Sequence, residues 1–353
     1  MLYFSRLKII SIIVFCLSLI FFSISNFINN EDFFLKKKVN LGLDLQGGSY
    51  LLLEVDKNPV INQTLQSKLT QVRNYFKKKE IKTFDYKLGK QKVLFKSDTN
   101  DQEKILELFK NDNELNPYFD VYKSYQYNVE LIDNIFELTL TKYGIIEIEQ
   151  SLLDQAIEIV RKRVDEVGTN EPSITKSGSN RIAVELPGLD NPDRIKSLLG
   201  RTANLTFRFV TQNTDASFGS EKLKDLDTGE ELNVSKRIII SGDNLIDAKP
   251  QMDNINNETV VSFTLDRLGA RKFGRATKNG IGKQLAIVLD NQIISAPVIR
   301  DVIASGSGQI SGGFTFQSAT DLALLLRSGA LPAPLDIIEA VSYTHLRAHE
   351  TPA

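Results

Sequence analysis

The stretch "LDLQGGSYLLLEVD", positions 43–56, sets Asp44, Gln46, Gly47 and Gly48 at the entrance to an apolar run. A carboxylate, an amide and paired glycines could cradle a phosphate, position a catalytic acid, or turn the chain into a strand. Acid–base catalysis needs a partner group, and no nucleophile or base stands near Asp44 in the sequence. Asp44 and Gln46 alternate with Leu43 and Leu45, so in an extended chain the polar pair shares one face. The expectation is a glycine bend or bulge before a strand from Tyr50 to Val55, with Asp44 and Gln46 fixing the path by hydrogen bonding.

The remaining chemical candidates fail on spacing. "SGSGQISGG" has Gly306 and Gly308, but Ser311 stands where a dinucleotide fingerprint needs its third glycine, so a strand-connecting loop is expected there. "NGIGKQ" mimics the end of a phosphate-binding loop, yet Thr277 replaces the first glycine and Gln284 the magnesium-binding hydroxyl. Asp165 and Glu185 could pair as acid and base but carry no signature spacing. Asp165 and Glu166 are expected on the solvated side of a helix beside Arg161 and Arg163. Both histidines, His345 and His349, fall in the last nine residues, so the body of the chain lacks imidazole for triads or zinc. The single cysteine, Cys16, leaves no disulfide framework. No cofactor or metal is expected.

These residues must be held by elements that periodicity can locate. Lys and Arg number 43 against 44 Asp and Glu, so no field favours nucleic acid. Ile9 to Ile28 is uncharged and, at about 1.5 Å per residue, long enough for a membrane span, with positions 1–8 on the cytoplasmic side. A cleaved signal ending near Ser23-Ile24-Ser25 is the competing reading. The rest reads as α+β units, each a helix, two short strands, a helix and a strand.

The helix opened by Asn58 and Pro59 aligns Ile61, Leu65, Leu69, Val72 and Phe76. A second runs from Ile145 to Val167, ended by Gly168. A hairpin follows with Ile182, Val184 and Leu186 on one face, and a helix capped by Asn191 stops at Gly200. "ANLTFRFV" is expected to keep one wet face. A polar, irregular stretch from Thr211 to Lys236 marks a subdomain boundary. Beyond it lie a helix capped by Asp266 and carrying Leu268, Ala270, Phe273 and Ala276, then a hairpin turning at Asp290-Asn291. A final helix ends at Gly329, before "LPAPLDII" leaves extended because Pro332 and Pro334 forbid more helix.

The apolar first segment, "LDLQGG", "VRKRVDEVGTNEPSITKSGSNRIAVELPGLDNPDRIKSLLGRTANLTFR", "GKQLAIVLDNQIISAPVI", "SGQISGGFT" and "LLLRSGALPAPLDIIE" occur in an order that resembles the SecD family. These are the membrane subunits of the bacterial Sec protein translocase that work with SecF. The resemblance implies a transmembrane helix at 9–28 and a large domain on the periplasmic face of the plasma membrane. That domain would comprise ferredoxin-like βαββαβ-type units. A base at 39–210, with a variable elaboration at 60–142, would carry a head at 211–329 and receive a return strand at 330–339.

The motif residues it implies as structural are Asp44, Gln46, Gly47, Gly48, Pro187, Gly188, Gly200, Gly329, Pro332 and Pro334. The implied activity is not enzymatic: the head binds emerging unfolded preprotein and moves to promote translocation, driven by the proton-motive force. The implied partners are a SecF-like subunit, the Sec channel, preproteins and membrane lipid. Positions 340–353, "AVSYTHLRAHETPA", depart from the family pattern and read as a foreign or frameshifted tail. A membrane-anchored envelope enzyme or sensor is the alternative.

Overall fold

The computed structural model describes residues 6–24, 47–168, 172–189, 192–211, 219–226, 228–253 and 257–343. Asp44, Gln46, Asn191 and both histidines lie outside the described residues. Helix α1 (Arg6–Ile24) exposes apolar side chains all around, Ile9, Ile13, Phe15 and Leu17 among them. Among the described residues no helix is long and apolar enough to cross a membrane. The predicted span's last positions, 25–28, are outside those residues.

Strand β1 (Gly48–Val55) alternates buried and half-buried residues, as a strand packed on one face should. The chain then builds a satellite from α2 (Asn58–Lys78), β2 (Thr83–Gly89), β3 (Lys92–Ser97), α3 (Gln102–Asn111), the short β4 (Tyr118–Phe119) and β5 (Ser124–Tyr125), β6 (Tyr127–Ile132) and β7 (Ile135–Leu140). Its sheet order is β2-β3-β7-β6. The predicted α2 face is buried at Ile61, Leu65, Val72 and Phe76, against Phe95, Phe109 and Phe136. Phe95 stacks on Phe136 with ring centroids 4.9 Å apart.

The base follows with α4 (Lys142–Val167), β8 (Ser173–Ser177), β9 (Arg181–Pro187) and α5 (Pro192–Gly200). Thr141 caps α4, and Gly168 ends it at φ 81°. The base sheet is antiparallel in the order β19-β1-β9-β8, its last member β19 (Leu335–Tyr343) returning after the head. Ile182, Val184 and Leu186 face its core together with Leu51 and Leu53. Strand β19 includes Ala340–Tyr343, paired with Gly48–Leu51. The predicted tail therefore begins inside a strand, and positions 344–353 lie outside the described residues.

The head contains β10 (Leu205–Phe209), β11 (Ser220–Lys224), β12 (Glu231–Ser235), β13 (Ile240–Ser241), β14 (Leu245–Asp253), β15 (Glu258–Leu265), α6 (Arg267–Asn279), β16 (Leu285–Leu289), β17 (Gln292–Ser295), β18 (Ser307–Phe314) and α7 (Phe316–Ser328). One sheet runs β13-β10-β16-β17 and another β14-β15-β18. Asp266 caps α6 by accepting from the Gly269 N–H, and Asp290 and Asn291 adopt φ 49° and 64° in the β16–β17 turn.

Four expectations change here. The stretch expected to be irregular holds the antiparallel pair β11–β12, because its Leu223, Leu232 and Val234 alternate with polar residues. "SGSGQISGG" is mostly strand β18, not a loop. Leu268 is 56% exposed and outside the core. Strand β10 has no wet face at its start: Thr206 is buried because a second apolar cluster of Val234, Ala286, Val288 and Ile293 lies on the far side of the sheet from the main head core.

Candidate functional site

The chain crosses between base and head twice, after α5 and after α7, and both crossings converge on Arg163 of α4. The side chain of Arg163 is fully buried. Its Nη1 donates to the carbonyls of Leu198 at 2.8 Å and Arg201 at 2.5 Å, and its Nη2 to those of Thr202 and Gly329, each at 3.2 Å. The Leu331 N–H donates to the Thr202 carbonyl at 2.8 Å, joining the two crossings directly. A helix leaves its last carbonyls without partners and bears partial negative charge there. Arg163 therefore supplies donors and positive charge where α5 and α7 end. Its planar fork can reach several acceptors at once, which an ammonium cannot.

Burial pushes the Arg163 pKa down to about 10, opposed by the charge of Asp290, so the group stays cationic at neutral pH. Asp290, in the β16–β17 turn of the head, accepts from the Thr202 hydroxyl and from the N–H groups of Ala203 at 3.1 Å and Asn204 at 2.8 Å. These bonds hold Ala203 at φ 59°, a left-handed conformation that carries a Cβ penalty. Two ion pairs flank this buried joint: the half-buried Arg194 of α5 with Asp321 of α7 at 2.7 Å, and the exposed Arg327 of α7 with Glu166 of α4 at 2.5 Å. The expected solvated pairing around Arg163 is thus corrected, since Arg161 pairs with Glu158 and Arg163 turns inward. Asp165 and Glu185 both stay exposed, on a helix and a strand respectively.

The predicted motif residues fall into two groups. Gly47 and Gly48 have φ 70° and 140°, and the Gly188 N–H donates to the Gly47 carbonyl at 3.0 Å, bringing Gly47, Gly48, Pro187 and Gly188 to one end of the base sheet. Gly200 and Gly329 stand at the two crossings. Pro332 lines a 580 Å³ groove between α2 and α4, and the Pro334 carbonyl accepts from the Asp56 N–H. Arg163 and Asp290 were not among the predicted site residues. The available signal was phase, because Arg163 follows buried Val160 by three positions and Ala156 by seven.

The head also holds an apolar groove of 380 Å³ floored by Phe207, Phe263 and Phe273, with Val298 half-exposed at its rim. The only titratable side chains lining it are Arg300 and Asp301, so it offers surface for apolar groups in place of an acid–base pair.

Comparison with known proteins decides the family. Family models described as "SecDF, P1 head subdomain", "Protein translocase subunit SecDF, P1 domain, N-terminal" and "SecD/SecF GG Motif" match residues 220–333, 153–212 and 33–59. The chain belongs to the SecD family. The SecD protein translocase subunit of Rickettsia bellii is 40% identical over 85% of this chain, and that of Acetobacter pasteurianus 36% over 96%. This chain spans 58% and 66% of those two SecD proteins. A SecDF crystal structure in a super-membrane-facing form is 26% identical, with a TM-score of 0.52, over 87% of this chain and 32% of that one. Arg163, Leu198, Arg201 and Thr202 of the joint fall within the residues matched by the N-terminal P1 model, and Asp290, Gly329 and Leu331 within those matched by the head model.

Proposed function

We propose that this chain is an accessory subunit of the Sec protein-export machinery whose exterior domain binds emerging preprotein and moves to promote its passage. The single observation that carries the reading is the joint: two chain crossings gripped by one buried guanidinium, with ion pairs open to solvent at its flanks. Pairs this open to solvent contribute on the order of 1 kcal/mol or less each, so the head can break Arg194–Asp321 and Arg327–Glu166 while Arg163 keeps the pivot intact. The apolar groove in the head suits transient contact with unfolded chain, which exposes apolar side chains without fixed spacing.

On this reading α1 is part of a membrane anchor at 9–28, supported by its apolar character on every face. The base and head lie on the periplasmic side of the bacterial plasma membrane, the boundary falling after α5 in place of the expected 210–211 because β10 pairs with β13 and β16 of the head, and 330–339 returns to the base. The base sheet order β19-β1-β9-β8 supports a ferredoxin-like βαββαβ unit. A SecF-like subunit, the Sec channel and membrane lipid are its partners. Proton flow through membrane segments shared with SecF supplies the work, roughly 2.3 kcal/mol per charge across 100 mV. Asp44, Gln46 and the motif glycines and prolines serve as structure, and the subunit hydrolyses nothing.

The test is to replace Arg194 and Asp321 by cysteines in a Cys16→Ser background and bridge them with a bis-maleimide in membrane vesicles carrying this subunit. Bridging should slow export of a secretory protein severalfold. Undiminished export under complete bridging would sink the moving-head reading.

A further inference from the structure

Helix α6 carries a line of cations that neither the joint nor the groove employs. Arg267, Arg271, Arg275 and Lys278 are all exposed and fall within about 80° of helical arc, spread along about 16 Å of the axis. Among the described residues no ion pair joins any of them to a carboxylate. The stripe concentrates four positive charges on one face of a chain whose formal charges sum to −1.

The stripe borders an open depression of 560 Å³ that also includes Ala270, Gly274 and Ala304. Its floor is shallow because these residues are small: a Cβ on Gly274 would lie 3.4 Å from the Ala304 Cα. Apolar residues stand out on both flanks, Leu268 at 56% exposure and Val302 at 45%.

Each feature constrains the occupant. A single small anion could touch one or two of the cations but not a line of this length. The depression has no enclosing wall to desolvate such an anion, and nothing on the stripe specifies a sequence or a base edge. A planar array of negative groups over an apolar layer matches the pattern, since the cations would meet headgroups while Leu268 and Val302 enter the boundary beneath them. We propose that this face of α6 docks the head on an anionic phospholipid surface. The proposal goes beyond the export reading and uses it only in assuming that α1 holds the chain at a membrane.

The full chain, with Cys16→Ser and Val302→Cys, would be labelled at position 302 with a fluorophore and reconstituted into vesicles bearing a headgroup-attached quencher. Vesicles of phosphatidylcholine alone would be compared with vesicles containing phosphatidylglycerol. Quenching should be several times stronger with phosphatidylglycerol and should fall in 1 M salt, where screening shortens to about 3 Å. Arg271→Glu with Arg275→Glu should reduce the lipid-dependent quenching by about tenfold or more. An unchanged melting temperature of that variant would show that it folds.

Equal quenching in the two lipids, or none lost in the folded variant, would overturn the proposal. So would protection of position 302 by a poly-glutamate peptide but not by phosphatidylglycerol, which would mark an acidic-peptide site. Flotation separates the two readings. A chain that fails to float with phosphatidylcholine vesicles but floats with phosphatidylglycerol would refute the anchor and still support the docking face.

Discussion

Two cations are buried among the described residues, Arg163 in the base–head joint and Lys68 in the satellite, and they are held differently. Arg163 spreads its donors over carbonyls from two chain crossings and remains charged with a pKa of about 10. Lys68 donates to the Leu115 carbonyl and to Gln71 Oε1, with its ammonium 4.8 Å from the Tyr127 ring centroid. Burial pulls its pKa down to about 8, with Glu114 opposing. The joint is thus built around a charge that ordinary pH cannot remove, whereas the satellite contains one that mild alkali discharges. The satellite's stacked aromatic core can tolerate that change because its cohesion is apolar. At the joint, apolar packing by Leu198, Leu199 and Leu331 surrounds the charge, but the carbonyls that Arg163 serves have no apolar substitute for its donors.

The largest test of this contrast is Arg163→Met, which leaves several buried carbonyls without donors. It should destabilise the base and head by about 3–5 kcal/mol in denaturant melts. Arg163→Lys should recover only part of the loss, because an ammonium cannot span the same acceptors. Full recovery by lysine would erase the distinction between the two sites.

The next effect is a pH dependence. Lys68 binds its proton less tightly folded than unfolded, so between pH 8 and 10.5 the unfolded state holds more protons and stability rises with pH. The gain should be about 1–3 kcal/mol and should flatten in Lys68→Met. Burial raises Tyr127 to about 12, and burial followed by Asp112 does the same for Tyr75. Both phenols therefore withdraw stability as pH climbs above 10, which makes pH 8–10 the clean window.

Substituting Gly47 or Gly48 by Val should cost about 1–2 kcal/mol each, read as faster amide exchange along β1, because both occupy positive φ. Asp44→Asn should abolish no reaction. The smallest change is expected for Arg194→Ala, below about 1 kcal/mol in stability. A larger loss there would mean that the flanking pairs, and not Arg163, hold the joint.

Much of the architecture was legible where one face of an element is buried and the other is wet. The α2 stripe and the Ile182, Val184, Leu186 alternation follow that rule, and the Asp290-Asn291 turn follows local backbone preference. Strand β18 was hidden because glycine disfavours strands. Its glycines are there for close approach: a Cβ on Gly308 would come within 2.5 Å of the Phe263 ring. The joint was hidden for a related reason. A charge in an apolar stripe is normally assigned to solvent, and only the third dimension brings two helix ends and a turn around Arg163. Thr206 was misjudged because the second cluster covering its sheet comes from residues distant in sequence.

The pairing of Gly48 with Tyr343 has a mechanical consequence. The incoming and outgoing leads of the base are adjacent, antiparallel and at the same end of the sheet. A tug that parts them would open the β1–β19 ladder one rung after another, the weak direction of such a pairing. A tug that carries both leads together loads every rung at once and passes undivided to the rest of the domain. The base resists traction only when its two leads travel as a pair.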